Sequence, residues 1–173
     1  QTGSNYARSL DNGNTFTTTD LFLGTNSNIR WPDISVSGNT VHVVGVATYY
    51  PSYPNWSVVY QKSIDGGQTF GSINTLETGT AVSTLAMSHS GNNVYIAWER
   101  QGQSPTLMKS TDGGNSFSSS TLSGDSWVYT GDFGIASSGN NVYIVNNSEY
   151  GFSYWHSTDK GNTFSPVLSL NDE

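Results

Sequence analysis

The chain contains no cysteine, which excludes disulfides, thiolate metal sites and cysteine nucleophiles together. Basic residues are nearly as scarce. Six Lys plus Arg stand against 13 Asp plus Glu, a formal net charge of −7. No basic stripe is present to neutralise a phosphate backbone or meet an anionic lipid surface, so neither nucleic acid nor a membrane is an expected partner. No run approaches the roughly 18 apolar residues that a membrane-spanning helix needs, so membrane insertion is not expected. Helical periodicity and convincing helix caps are missing as well. The three histidines, His42, His89 and His156, are dispersed and none pairs at metal-ligand spacing, so neither a metal nor a cofactor is expected.

What the chain has instead is a repeat. One eight-residue phrase occurs four times: Ser9–Phe16, Ser63–Phe70, Ser110–Phe117 and Ser157–Phe164, each reading Ser-x-Asp-x-Gly-x-Thr/Ser-Phe. Its aspartates, Asp11, Asp65, Asp112 and Asp159, are 54, 47 and 47 residues apart. Self-similarity at about 40–50 residues signals propeller blades or a solenoid. A second turn recurs between copies, at Ser37-Gly38-Asn39, Ser90-Gly91-Asn92 and Ser138-Gly139-Asn140. Each leads into an alternating apolar run: Val41–Val44, Val94–Trp98 and Val142–Val145. Gly-Asn supplies the left-handed backbone of a tight hairpin, and β-branched and aromatic runs form strands.

One repeat therefore reads as four antiparallel strands. In the middle repeat these fall near Val82–Ser88, Asn93–Glu99, Thr106–Ser110 and Ser116–Leu122. The recurring phrase joins the third strand to the fourth. Its Asp can bond the amides of its own turn, its Gly takes a left-handed corner, and its Phe is expected to point inward between adjacent sheets. Phe16, Phe70, Phe117 and Phe164 are thus expected wedges. One carboxylate per copy is too few for an EF-hand-like calcium loop.

This phrase resembles the Asp-box, or BNR repeat, of sialidase-like β-propellers, and the resemblance covers essentially the whole chain. It implies an all-β propeller, or propeller segment, of four-stranded antiparallel blades, about three and a half of them here. The blades are expected at 24–76, 77–122 and 123–170, with a half blade at 1–23. In that family the Asp-box is a folding element away from the active site, found in enzymes and non-enzymes alike. The unmatched half blade leaves two expectations open: continuation in a longer parent chain, or self-association.

Spacing points to a functional face. From each Asp to the next hairpin Gly the chain takes 27, 26 and 27 residues, but from Gly to the next Asp it takes 27, 21 and 20. The excess lies in one loop between second and third strands, Thr48–Trp56, rich in aromatics. Such loops and the blade-to-blade connections share one face of a meander, and binding residues gather on loops of a rigid scaffold. The candidates there are Arg30, Trp31 and Asp33; Tyr49, Tyr50, Tyr53 and Trp56; Trp98, Glu99 and Arg100; and Trp127. Tyr129, Asp132, Glu149 and Tyr150 lie nearby. Aromatic faces stack on sugar rings while carboxylates and amides take hydroxyl hydrogen bonds, so a glycan is the expected ligand.

The expected function is non-catalytic, an extracellular or cell-surface propeller used for ligand recognition or assembly. A fragment of a sialidase-like glycoside hydrolase is the alternative. Ile29-Arg30-Trp31-Pro32 partly matches that family's Phe/Tyr-Arg-Ile-Pro element, whose Arg grips a substrate carboxylate, but no nucleophile or paired carboxylates can be assigned. The low-Lys, Ser/Thr/Asn/Gly-rich surface suggests the extracellular setting, and Gln1 suits a mature N-terminus. Asn55-Trp-Ser57 and Asn146-Asn-Ser148 read equally as glycosylation acceptors or as chance in an Asn/Ser-rich chain.

Overall fold

The computed structural model describes residues 4–22, 27–49, 56–79, 82–100, 103–123, 132–148, 151–165 and 168–170. Among these residues there is no helix. The chain divides into two compact units, Gln1–Thr80 and Ala81–Glu173.

The first unit holds a two-stranded sheet of β1 (Ser4–Arg8) and β2 (Thr17–Leu21). Its second sheet runs in sequence order through β3 (Ser27–Ser37), β4 (Thr40–Tyr49), β5 (Trp56–Ser63) and β6 (Asn74–Thr78). The second unit holds two such meanders. One is β7 (Val82–Ser90), β8 (Asn93–Arg100), β9 (Thr106–Ser110) and β10 (Ser118–Thr121). The other is β11 (Phe133–Ser138), β12 (Asn141–Ser148), β13 (Gly151–Ser157) and β14 (Leu168–Leu170). All pairings are antiparallel, and the register repeats: Val41, Val94 and Val142 lie opposite Ser63, Ser110 and Ser157, the first residue of each phrase. The fourth strand of the middle repeat starts later than its sequence suggests, at Ser118, because Ser116 and Phe117 are still held in the turn.

Each phrase closes on itself. In the second copy, Asp65 accepts the Ser63 hydroxyl at 2.7 Å, the Thr69 amide at 2.9 Å and the Thr69 hydroxyl at 2.6 Å. The Ser63 hydroxyl in turn accepts the Gly67 amide at 2.8 Å. The other copies repeat this set around Asp11, Asp112 and Asp159. The corner needs two successive left-handed residues: Asn12-Gly13, Gly66-Gly67, Gly113-Gly114 and Lys160-Gly161 all have φ between 58° and 87°. In the three complete sheets the first of the pair donates its amide to the hairpin Asn carbonyl, Gly66 to Asn39, Gly113 to Asn92 and Lys160 to Asn140, at 2.7–2.8 Å. Both turns of a sheet are thereby tied together at one end.

The cores lie in the seams between neighbouring sheets. In the first unit Leu21 and Phe22 pack with Val41, Val43, Ala47 and Val59, joined by Tyr6, Ile29, Phe70 and Ile73. In the second, Tyr95, Ala97, Leu107 and Leu122 pack with Val142, Ile144 and Trp155, joined by Phe133, Ile135 and Phe164. Gln61 and Trp155 occupy equivalent places. Gln61 Oε1 accepts the Phe22 amide at 2.7 Å, and Trp155 Nε1 donates to the Ser123 carbonyl at 2.7 Å. Each secures the exit of the sheet in front.

Phe70 and Phe164 therefore sit in seams, Phe70 edge-on to Tyr6 with ring centroids 5.1 Å apart. Phe117 is half-buried. Phe16 does not act as the sequence suggests: it is 62% exposed. The wedge packs on the sheet in front of its own, and β1–β2 has no such sheet among the described residues.

Candidate functional site

The aromatic candidates of the first unit meet where β3 breaks step with β4. Arg30 lies opposite Val46 and Asp33 opposite Val44, so Trp31 and Pro32 together oppose Gly45. Pro32 has no amide to give the ladder, which places the bulge here. Trp31 takes a left-handed φ of 46°, unusual for a bulky residue. Gly45 makes room for the distortion: a Cβ there would lie 2.6 Å from Cγ2 of Ile29.

The bulge turns Trp31 toward Trp56, the first residue of β5. Their rings are 5.7 Å apart and tilted by 38°. The Arg30 guanidinium stands 5.8 Å from the Trp56 ring centre, within cation–π range. Trp56 is buried, Trp31 half-buried and Arg30 exposed. The result is an indole platform with a cation at its rim, held by a strained backbone of the kind that collects at ligand sites. Asp33 points elsewhere. It accepts the amide of Ile34 at 2.7 Å and lines a separate groove beside β1.

The candidates of the second unit lie at one strand end and are withdrawn from solvent to different degrees. Trp98 and Glu99, at the end of β8, are both 0% exposed, and Arg100 is half-buried. Asn146 of β12 donates its amide to Glu99 Oε2 at 3.2 Å. Glu99 Oε1 and Asn146 Oδ1 are buried without a hydrogen-bond partner. Burial pushes the Glu99 carboxyl up from 4.5 to about 7, only partly offset by the bond from Asn146. Sequence reasoning missed Asn146 as the partner of Glu99. The alternation Val142, Ile144, Asn146 along β12 carried the signal, since it turns the asparagine to the same side as two core residues. At 1% exposure Asn146 is no accessible glycan acceptor.

Asp132 is exposed, and its carbonyl accepts the Asn147 amide at 3.2 Å. Tyr49 lies at the end of β4. Tyr50, Tyr53, Asn55, Trp127, Tyr129, Glu149 and Tyr150 lie outside the described residues. Arg8 is tied down structurally, its guanidinium donating to the Gly66 carbonyl at 3.0 Å. Among the described residues no group of three or more His, Cys, Asp or Glu could hold a metal ion.

No family model and no curated protein matches the chain. Solved structures do. A Trypanosoma rangeli sialidase in complex with 2,3-difluorosialic acid aligns with a TM-score of 0.64 and 14% identity over 94% of this chain. A mutant of NanB sialidase from Streptococcus pneumoniae aligns with a TM-score of 0.57 and 15% identity over 98%. The catalytic domain of the Coprinopsis cinerea GH62 alpha-L-arabinofuranosidase aligns with a TM-score of 0.54 and 14% identity over 83%. The fold is that of a sialidase-like propeller, in part. The chain spans 32% of the Trypanosoma sialidase, 25% of the NanB sialidase and 51% of the arabinofuranosidase domain. At this identity the likeness is one of fold.

Proposed function

We propose that the chain is part of an extracellular, carbohydrate-recognising propeller whose ligand site is built on Arg30, Trp31 and Trp56. The observation that carries this is the pairing of a left-handed, bulged Trp31 with Trp56 under the Arg30 guanidinium. Indole faces take the apolar face of a sugar ring, and a guanidinium at the rim takes a carboxylate or hydroxyls. The four Ser-x-Asp turns are read as Asp-boxes that keep the sheets in shape and take no part in binding.

The test is calorimetric titration with sialyllactose and with neutral oligosaccharides. Arg30→Ala is expected to abolish preference for the acidic sugar, and Trp31→Ala to abolish binding of both, each folding as the parent does. A folded protein that binds neither sugar removes the proposal. The alternative, a portion of a sialidase-like hydrolase, is supported by the fold likeness and by Arg30. It requires turnover of a fluorogenic sialoside that Arg30→Ala eliminates.

A further inference from the structure

The second unit carries a polar groove of about 580 Å³ at its turns. It is walled by the hairpin turns of β7–β8 and β11–β12 and by the Ser-x-Asp turns that follow β9 and β13. Ser90, Asn92, Asn93, Thr111, Asn140 and Lys160 line it, and the lining holds no carboxylate and no aromatic ring. The adjacent carboxylates, Asp112 and Asp159, accept bonds on both oxygens within their own turns. Part of the lining is spent on the turns themselves. Ser90 Oγ accepts the Gly139 amide at 2.9 Å, and Asn93 Nδ2 donates to the Ser90 carbonyl at 3.3 Å. The carboxamides of Asn92 and Asn140, the Thr111 hydroxyl and the Lys160 ammonium are not so used. They are exposed and make no hydrogen bond or ion pair among the described residues. Lys160 also holds a left-handed φ of 62° where the second and third turns have Gly66 and Gly113. A long cationic side chain is kept where glycine would sit without strain, and outliers of this kind collect at ligand sites. In the equivalent seam of the first unit Leu10 stands in the place of Thr111 and Gly66 in the place of Lys160. That seam offers neither the hydroxyl nor the ammonium.

We propose that this groove binds a sulfate ester carried on a sugar. The Lys160 ammonium takes the sulfate, and Asn92, Asn140 and Thr111 donate to its remaining oxygens and to the sugar hydroxyls beside it. A lysine is a compact point charge with three rotatable donors, which suits a tetrahedral oxyanion, whereas the planar arginine fork suits a carboxylate. One ammonium balances one monoanion. A sulfate ester is a monoanion at neutral pH, while a phosphate monoester carries between about 1.5 and 2 negative charges. The groove has room for more than a lone ion, since pockets for small molecules run from about 300 to 1,000 Å³. Carboxamides and a hydroxyl both donate and accept, as sugar hydroxyls require. A single cation does not match a polyanion, which keeps nucleic acid out. The groove shares no residue with the Arg30–Trp31–Trp56 group, and either can bind without the other.

Titration of the 173-residue chain with sulfated lactose, followed by the amide resonances of Asn92 and Asn140, reads this groove separately from Arg30 and Trp31. Saturable shifts are expected, with a dissociation constant below about 1 mM. Lactose, lactose phosphate and inorganic sulfate should each bind there at least roughly tenfold more weakly. Lys160→Gly is expected to unfold at higher denaturant than the parent and yet to weaken sulfated lactose by roughly tenfold or more, a pairing that damage to the fold does not produce. Thr111→Ile, which places at this exposed position the residue type of Ile64, is expected to keep the melting temperature and to weaken binding about threefold or more. Four results overturn the proposal: no shift at Asn92 or Asn140 up to about 1 mM ligand, shifts confined to Arg30 and Trp31, equal binding of lactose, or unchanged binding by Lys160→Gly. Equal or tighter binding of inorganic sulfate or of lactose phosphate also overturns it, and assigns the groove to the free oxyanion or to the phosphate monoester.

Discussion

Asn146 reaches from β12 to Glu99 on β8, placing its amide 3.2 Å from a carboxyl that has no exposure to solvent. The pair ties two sheets at the end opposite the Ser-x-Asp turns.

This gives stability a defined pH dependence. Burial holds the Glu99 carboxyl at about 7, against 4.5 ordinarily. As pH rises, the unfolded chain gives up this proton first, so the folded state loses stability between about 4.5 and 7 and levels off above. Melting temperatures at pH 5 and pH 8 should differ in that sense through this group. Glu99→Gln should remove its contribution, and superimposable profiles for the two proteins would exclude it.

The Ser-x-Asp turns act in the opposite direction. The Thr15 hydroxyl, followed by its amide and the Ser9 hydroxyl, holds the Asp11 carboxyl at about 2. Asp65, Asp112 and Asp159 are held lower still, first by the hydroxyls of Thr69, Ser116 and Thr163. Their contribution is complete above the ordinary carboxylate value of 3.8 and is lost as pH falls below it. Acid melts should show a steep loss below about pH 4. Asp65→Ala should lower the melting temperature at neutral pH and flatten the acid limb.

Lys160 occupies a left-handed position, φ 62°, that two of the other copies give to glycine. Its amide and carbonyl are used, by Asn140 and Tyr95, and both are backbone groups that survive substitution. Lys160→Gly should therefore stabilise by about 1 kcal/mol, from relief of left-handed strain less the added chain entropy of glycine. Denaturant unfolding measures it, and a destabilised variant would contradict the assignment of strain.

Gln61 gives the Phe22 amide its side-chain acceptor in a buried place and donates onward to the Gly71 carbonyl at 2.9 Å. Gln61→Ala should cost about 1–3 kcal/mol, the range for stripping a buried group of its partner. Chemical denaturation reads the loss, which should exceed that of an exposed substitution such as Thr18→Ala.

Much of the strand pattern was legible, for a local reason. The strands Asn93–Arg100 and Thr106–Ser110 begin and end within a residue of their sequence-based expectation because Gly-Asn and Asp-Gly-Gly turns bound them tightly. Arg30, Trp31 and Trp56 were legible as candidates, but not as a cluster, since the bulge that joins them depends on β3 meeting β4 around Gly45. Trp98 and Glu99 end a strand on the face of the loops and connections, yet both are fully buried, Glu99 against Asn146 of the neighbouring sheet.

The sequence by itself determined the repeating turn, because every partner of Asp11, Asp65, Asp112 and Asp159 in that turn lies within four residues of it. Short range makes such contacts independent of what the rest of the chain does. Tertiary structure alone decided that Phe16 stays in solvent and that Asn146 answers Glu99 from 47 residues away. Each of these depends on whether another sheet lies alongside, and sheet-to-sheet packing is set by burial of apolar area rather than by any local phrase.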